Sequence, residues 1–285
     1  MRCLEARVKR ILTRAGGYLK DVCSHSLQPY RGCAYGRSLC GVGCYVQHNG
    51  LLTRGAVWGS FLEARVNAPE AYAAEQASER RWARRSRGAF SIFLSSSTDP
   101  FVPQERVQGV TLRVLEAMTQ APPDVLIVQT HSPDVARARA PLAALARDCQ
   151  VRIHLSIESD RDSLPGLPPP AATVARRLAA AAALRAAGLR TVVTVAPLLP
   201  MRDPQEFFRR VADVADAVVI DHFIGGDGSL DGRRTASTPL PAAMERALPG
   251  SSELAYRDRI VAIAHEIMPG RVGVSRDGFA GRYLD

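Results

Sequence analysis

Three cysteines lie close together in a glycine-rich stretch, and their sulfurs are the groups in this chain best suited to inorganic chemistry. Cys33, Cys40 and Cys44 fall within twelve residues, in the sequence Cys-Ala-Tyr-Gly-Arg-Ser-Leu-Cys-Gly-Val-Gly-Cys. Thiolates are soft ligands that select zinc, copper(I) or iron–sulfur clusters. Three thiolates are one too few for a closed structural zinc site. They match a four-iron cluster that leaves one iron open for another ligand, and the glycines permit the sharp turns that wrapping it requires.

A zinc knuckle is the alternative use of the same stretch. It would take its fourth ligand from Cys23 or His25, which lie just upstream, and would complete the four N or S ligands of a structural zinc site. On the cluster hypothesis Cys3, Cys23 and Cys149 are spare thiols. Six cysteines in 285 residues do not predict a secreted disulfide scaffold.

Composition narrows the class of protein. A chain of 285 residues with 46% hydrophobic residues is long enough for one large α/β domain with extensions. We find no run of eighteen apolar residues that would predict a membrane span, and no apolar signal core near the N-terminus, so we expect a cytoplasmic protein. The net charge of +9 is compatible with an anionic partner such as nucleic acid, although the general richness in Arg, Ala, Gly and Pro weakens that argument.

Strand and helix patterns alternate along most of the chain. After an N-terminal arm (1–22), we predict a βα domain over 23–222, followed by a C-terminal extension (223–285) with a helix at 252–268. The predicted strands are 23–32, 90–94, 125–128, 151–155, 191–195 and 217–220, and the predicted helices are 68–87, 104–119, 133–147, 171–187 and 204–214. Six βα units predict a parallel sheet with right-handed crossovers. A flavodoxin-like or Rossmann sheet is the alternative, but no G-x-G-x-x-G follows the first strand.

Polar residues follow the predicted strands, at the edge where a βα barrel carries its chemistry. They are Ser95–Asp99 after the second strand, Gln129–Ser132 after the third, Ser156 and Glu158 after the fourth, and Asp221 and His222 after the sixth, whereas Ala196 and Pro197 follow the fifth. A barrel without a ligand does not require polar residues to collect at one edge, so we expect a site there.

Several ordered motifs resemble the radical S-adenosylmethionine (SAM) enzymes, in the branch that contains spore photoproduct lyase. The motifs are Pro29-Tyr-Arg-Gly-Cys33, Cys44-Tyr45, Ser97-Thr-Asp-Pro-Phe101 with Pro103 and Glu105, Thr130-His-Ser132, Leu155-Ser-Ile157, Arg177-Leu178 through Ala187-Gly188, and Val195-Ala-Pro197. Two features depart from the family. The cysteine spacing is Cys-x6-Cys-x3-Cys in place of Cys-x3-Cys-x2-Cys, which a longer loop tolerates because closure cost rises slowly with length. His131 stands where the family has Lys.

The resemblance implies a partial (β/α)6 TIM-like barrel with a [4Fe-4S] cluster and SAM as cofactors. Cys33, Cys40 and Cys44 would ligate the cluster, and the open iron would hold the amino and carboxylate groups of SAM. The remaining contacts to SAM would come from Tyr45, Thr98, His131, Ser156, Glu158, Arg177 and Ala196. Asp99 is interpreted as a structural cap, and no residue is assigned to the substrate.

The resemblance also implies an activity. A one-electron reductant such as a flavodoxin or ferredoxin would reduce the cluster, SAM would be cleaved to a 5′-deoxyadenosyl radical, and that radical would abstract hydrogen from a substrate. Five arginines around Trp82, between Arg80 and Arg87, favour a nucleic acid or nucleotide lesion as the substrate, although such a run is also typical of a solvated helix face. Ser96 stands where spore photoproduct lyase has a hydrogen-donating Cys, so direct reversal of the spore lesion by that route is not expected. The alternatives are a zinc-bearing nucleic-acid-binding module without catalysis and a cluster protein for electron transfer or sensing.

Overall fold

Two β-sheets organise the chain, and the computed structural model describes residues 1–284. The strands are β1 (Arg2–Ala6), β2 (Leu12–Arg14), β3 (His25–Leu27), β4 (Tyr30–Gly32), β5 (Phe61–Arg65), β6 (Ser91–Leu94), β7 (Val125–Thr130), β8 (Gln150–Ser156), β9 (Thr191–Val195), β10 (Ala217–Ile220) and β11 (Val272–Val274).

The larger sheet has eight strands in the order β11-β10-β9-β8-β7-β6-β3-β2. Its strands from β3 to β11 run parallel, and β2 pairs antiparallel with β3. Every residue of β9 and β10 is buried, as expected for parallel strands covered on both faces. Within residues 1–284 no pairing joins β2 to β11, so the sheet is an open, partial barrel.

Helices follow most of these strands. They are α1 (Leu39–Gly43), α2 (Gly50–Thr53), α3 (Ala68–Arg87), α4 (Glu105–Gln108), α5 (Val110–Gln120), α6 (Arg139–Leu145), α7 (Val174–Ala186), α8 (Pro204–Val214), α9 (Phe223–Gly226), α10 (Arg233–Ala236), α11 (Leu240–Ala247), α12 (Leu254–Ile267) and α13 (Ser275–Ala280), with 3-10 turns at Gly17–Asp21, Tyr45–His48 and Pro133–Ala138. None of the helices in the described part of the chain is both long and apolar enough to cross a membrane.

The predicted βα order is confirmed, and the structure adds to it. Helices α3 and α8 have the bounds that the sequence predicted, and α8 begins after Asp203, whose side chain accepts a hydrogen bond from the Glu206 N–H at 3.0 Å as an N-cap does. The C-terminal extension supplies β11, which extends the parallel sheet beyond the six predicted strands.

Two predicted elements are divided in the structure. The first predicted strand, 23–32, was wrong as one strand, because it breaks before Pro29 into β3 of the large sheet and β4 of the small one. The predicted helix 104–119 breaks at Gly109, where a φ of 59° separates α4 from α5. As a result Val107 is 87% exposed instead of lying on the buried stripe with Val110.

The smaller sheet positions the cysteine stretch. It has the order β1-β5-β4, with β1 parallel and β4 antiparallel to β5. Strand β4 ends at Gly32, directly before Cys33. The N-terminal arm and the β4–β5 pair therefore fix where the cysteine loop begins.

The open side of the large sheet is bridged by short helical segments that follow its two outermost strands. The 3-10 turn Gly17–Asp21 follows β2, and α13 follows β11. Tyr18 and Phe279 meet edge to face with ring centroids 6.2 Å apart, and Arg276 lies 3.1 Å from the Asp21 carboxylate. We call this contact the seam. Phe279 also packs with the barrel-interior residues Phe93 and Ile127.

Candidate functional site

One cavity of about 400 Å³ lies at the C-terminal ends of the parallel strands. Its walls include all ten residues that the sequence analysis assigned to the cluster and to SAM. These are Cys33, Cys40, Cys44, Tyr45, Thr98, His131, Ser156, Glu158, Arg177 and Ala196. The residues come from the loop after β4, from α1 and the turn that follows it, from α7, and from the ends of four parallel strands. The fold therefore gathers them as the barrel hypothesis requires.

The cysteine loop is packed so closely that several of its glycines have no room for a side chain. A Cβ on Gly41 would lie 2.1 Å from the Tyr35 carbonyl oxygen, and one on Gly36 would lie 2.2 Å from the Cα of Gly59. Gly41 lies between Cys40 and Cys44 in the sequence. The loop conformation that turns these two cysteines toward the cavity therefore depends on residues without a Cβ.

Burial disfavours the charged form of Cys33 and Cys44. It raises the pKa of Cys33 to about 12, and the neighbouring Cys40 adds to the rise. Burial also raises the pKa of Cys44, again with contributions from Cys40 and Cys33. The sulfurs thus lie near enough to repel one another as thiolates, and a positively charged metal centre would favour the deprotonated form that ligation needs.

The donor set suits an iron–sulfur cluster in chemistry and number. Within residues 1–284, no group of three or more His, Cys, Asp or Glu side chains is arranged to hold a single metal ion. Ligands to a four-iron cluster bind different irons and need not converge on one ion. Three thiols that line one cavity next to polar groups therefore fit a cluster with one open iron.

Glu158 joins two cations in the wall of the cavity. Its Oε2 accepts a hydrogen bond from Arg177 Nη1 at 2.6 Å, and its Oε1 lies 3.0 Å from His131 Nε2. Burial alone would raise the pKa of Glu158, but Arg177 and His131 outweigh it and hold the pKa well below its usual range. Burial would likewise lower the pKa of His131, and Cys40, Asp99 and Glu158 raise it well above its usual value.

Asp99 acts as a structural cap. Its Oδ1 accepts hydrogen bonds from the Phe101 N–H and the Thr130 hydroxyl, both at 2.8 Å, and its Oδ2 accepts from the His131 N–H at 2.7 Å. The carboxylate thus holds the loops after β6 and β7 together. Its oxygens are occupied by the fold itself, as its sequence interpretation required.

Ser156 lies in a polar contact group on the cavity wall. Gln129 Nε2 donates to the Ser156 hydroxyl at 2.6 Å and to Thr194 Oγ1 at 2.9 Å. Several buried polar atoms of the wall have no partner in the described part of the chain. Among them are Ser95 Oγ, Gln129 Oε1, Trp58 Nε1 and His222 Nε2. Ser95 also has a φ of 71°, a conformation that bulkier residues rarely adopt and that is frequent at functional sites.

Three residues in or next to the cavity wall were not identified by the sequence analysis. Tyr18 donates to Asp221 Oδ2 at 2.8 Å, Ser275 donates to Asp221 Oδ1 at 2.6 Å, and Phe279 lines the cavity. Tyr18 is 203 residues from Asp221, and no periodicity or motif marks such a pair. Asp221 itself was recognisable because it follows a strand.

The arginine-rich segment has mostly structural partners. Arg80 donates to the Pro122 carbonyl at 2.6 Å, Arg84 to Asp124 at 2.7 Å, and Arg87 to the Ala15 and Lys20 carbonyls at 3.3 and 3.2 Å. Arg14, from β2, lies 4.1 Å above the Trp82 ring. Trp82 and these three arginines therefore fasten α3 to its neighbours, whereas Arg81 and Arg85 are exposed. This weakens the sequence-based reason for placing nucleic acid there.

Comparison with known proteins gives a likeness of fold. No family model matches the chain, and no curated protein matches it. The chain resembles solved structures of spore photoproduct lyase. A cysteine-to-serine variant superposes with a TM-score of 0.62 at 15% identity over 96% of this chain and 81% of that one. A double variant with bound AdoMet and dinucleoside spore photoproduct gives a TM-score of 0.63 at 16% identity over the same shares.

The likeness extends over nearly the whole chain, including the parts for which sequence motifs are few. It confirms the predicted α/β architecture, a partial barrel like that of spore photoproduct lyase. At this level of identity the shared property is the fold, and the chemistry must be argued from the residues of the cavity.

Proposed function

We propose that this protein is a radical SAM enzyme with a lyase-type or related reaction on a nucleic acid or nucleotide lesion. The observation that carries the proposal is the cavity, because three cysteines and seven predicted SAM-binding residues line it at the C-terminal ends of the parallel strands. The fold shared with spore photoproduct lyase, including a structure with bound AdoMet and a dinucleoside lesion, supports the same assignment.

The residues have separate tasks in this proposal. Cys33, Cys40 and Cys44 hold a [4Fe-4S] cluster, and Gly41 permits the loop that presents them. When bound and reduced by a flavodoxin or ferredoxin, the cluster would supply one electron to cleave SAM, and the resulting 5′-deoxyadenosyl radical would abstract hydrogen from the substrate.

The wall residues bind and orient SAM. Glu158, fixed by Arg177 at 2.6 Å, accepts hydrogen bonds from the amino group or the ribose hydroxyls, and His131 binds the carboxylate or a ribose hydroxyl. Thr98 and Ser156 supply hydroxyl groups, Tyr45 packs against the adenine, and Ala196 offers backbone hydrogen bonds to it. The apolar walls exclude water from the reacting groups.

Anaerobic reconstitution tests the proposal. We expect about four irons and four sulfides per chain, broad visible absorption, and 5′-deoxyadenosine from SAM after reduction. Cys40→Ala should lose the cluster and the 5′-deoxyadenosine together, whereas the control Cys3→Ala, outside the cavity, should retain both.

Other results would contradict it. One zinc per chain without sulfide would favour the zinc-bearing module, and a cluster that never yields 5′-deoxyadenosine would favour electron transfer or sensing. Full product formation by Cys40→Ala would contradict the ligand assignment.

A further inference from the structure

His222 has a hydrogen-bond donor that the fold leaves unused. The residue directly follows Asp221 at the end of β10, is 1% exposed and lines the cavity. Its Nδ1 accepts a hydrogen bond from the backbone N–H of Ile224 at 3.1 Å. A backbone N–H can only donate, so Nδ1 carries no proton and the proton of the neutral ring lies on Nε2. Nε2 is buried and has no partner in the described part of the chain.

The imidazole is held in one orientation. It stacks on Phe223 with ring centroids 4.4 Å apart, and its own backbone N–H donates to Asp221 Oδ1 at 2.9 Å. Asp221 is fixed in turn by Tyr18 and Ser275. A buried donor that is rigid and unpaired costs free energy in the free protein, and a ligand acceptor would remove that cost.

The surrounding charge favours an uncharged ligand group. Burial lowers the pKa of His222 to about 4, assisted by Arg257, so the ring is neutral at physiological pH. Besides the neutral His222, the basic side chains that line the cavity in the described part of the chain are Arg177 and His131, and both lie against Glu158. The same wall carries the Asp221 and Asp227 carboxylates. A phosphate here would meet these two acidic groups.

The wall also carries the aromatic side chains Tyr45, Trp58, Phe93 and Phe279 in addition to the His222–Phe223 stack. Flat apolar surfaces with a few convergent polar groups suit a planar ring. A neutral imidazole donates from its Nε2–H to acceptors such as carbonyl oxygens. His222 does not act as a base, because Nε2 carries the proton and Nδ1 already accepts the Ile224 N–H.

We propose that His222 is a substrate-positioning residue whose Nε2–H donates a hydrogen bond to a carbonyl oxygen of an uncharged, planar ring held at this end of the cavity. The inference rests on the proposed function in taking that ring as part of the substrate. It narrows the substrate class to carbonyl-bearing heterocycles.

Binding measurements test the inference without catalysis. Isothermal titration calorimetry on the reconstituted protein would use thymidine and dinucleoside spore photoproduct as ring probes, and SAM in a separate titration. His222→Phe keeps a flat ring and removes the donor, so we expect about tenfold weaker binding of at least one ring probe and less than twofold change for SAM. His222→Gln restores an N–H near the same place and should recover part of the affinity. His265→Phe, on α12 outside the cavity, is the matched control.

The tautomer gives an independent measurement. Nitrogen-15 NMR of the histidines, assigned by comparison with His222→Phe, should show a neutral ring protonated at Nε2 between pH 6 and pH 8. A ring protonated at Nδ1, or one with both nitrogens protonated in that range, would overturn the inference.

The binding outcomes separate the inference from the proposed function. If His222→Phe loses affinity for SAM while its affinity for the ring probes is unchanged, the donor serves the cofactor and the inference is overturned. Equal affinities of His222→Phe and the wild type for every ligand would overturn it as well. A wild-type protein that cleaves SAM but binds neither ring probe overturns the inference and leaves the function standing. A protein that binds a ring through His222 but never yields 5′-deoxyadenosine would support the inference about His222 and contradict the proposed function.

Discussion

The Glu158 carboxylate lies between two cations, with Arg177 Nη1 2.6 Å from one oxygen and His131 Nε2 3.0 Å from the other. Arg177 also donates to the Ser156 carbonyl at 2.7 Å and is 3% exposed. An arginine on a helix is often part of a solvated face, and the burial of Arg177 decides against that alternative.

Neutralising Glu158 should destabilise the fold as well as the site. Glu158→Gln keeps the shape but leaves Arg177 buried without a counter-charge, and breaking such a pair costs about 3 kcal/mol. Urea denaturation of the cluster-free protein would measure the loss. Glu206→Gln, which removes an exposed pair with Arg209, should change stability by less than about 0.5 kcal/mol. Equal effects of the two substitutions would contradict the role given to Glu158.

Gly41 offers a second prediction at the residue scale. Gly41→Ala places a Cβ 2.1 Å from the Tyr35 carbonyl oxygen, so the loop must shift and at least one cysteine moves. We expect iron incorporation on reconstitution to fall severalfold while circular dichroism stays close to that of the wild type. Gly16→Ala, where a Cβ meets nothing within 4 Å, should incorporate iron normally; a loss in that variant would show that the assay reports general damage.

At the scale of elements, α3 is fastened to the barrel through Glu79. This carboxylate is 4% exposed and accepts hydrogen bonds from Arg14 at 2.8 Å and from His25 Nε2 at 3.0 Å. Burial would raise the pKa of Glu79, but Arg14 and His25 lower it to about 2. The group therefore couples the packing of α3 against β2 and β3 to pH.

The sign of that coupling follows from the depressed pKa. Unfolded Glu titrates near 4.3, so the ionised form contributes stability above about pH 4.3 that is lost as the pH falls toward about 2. Glu79→Gln should be less stable than the wild type by roughly 2 kcal/mol at pH 7. The difference should shrink between those two pH values, as thermal melts across the range would measure. A constant difference at all pH values would rule out this coupling.

Elements also differ in how well the sequence predicts them. Apolar strands such as Val125–Thr130 and the capped helix Pro204–Val214 follow from local pattern, because burial and capping are read from neighbouring residues. Strands of three residues, such as Val272–Val274, carry too short a pattern. Their place depends on the strand beside them.

The residues of the candidate site also differ in how well the sequence predicts them. His131, Ser156 and Glu158 were predictable because parallel strands end at one edge, so position after a strand implies proximity. Tyr18 and Ser275 were not, because each reaches Asp221 across a long stretch of sequence. Arg177 lies on a helix, and only its burial against Glu158 distinguishes it from a surface arginine.

At the scale of the whole molecule, the large sheet remains open and the seam covers its gap. Phe279 carries much of that contact, since it packs on Tyr18, Phe93 and His154. Phe279→Ala should cost about 3 kcal/mol, typical of a buried aromatic residue. Hydrogen exchange should show faster exchange at residues 17–21 and unchanged protection in β8. Leu230→Ala, at a side chain that is 95% exposed, is the control, and uniform deprotection of the barrel would refute a local role.

The seam also sets an order of assembly. The ion pair between Asp21 and Arg276 joins positions 255 residues apart, so during translation the interior stays accessible from the side until residue 280 has left the ribosomal exit tunnel. Earlier strands have emerged by then and can pair. On the proposed function, iron and sulfide delivered to the nascent chain would reach the cysteine loop through the open side of the sheet, which the seam covers in the folded protein.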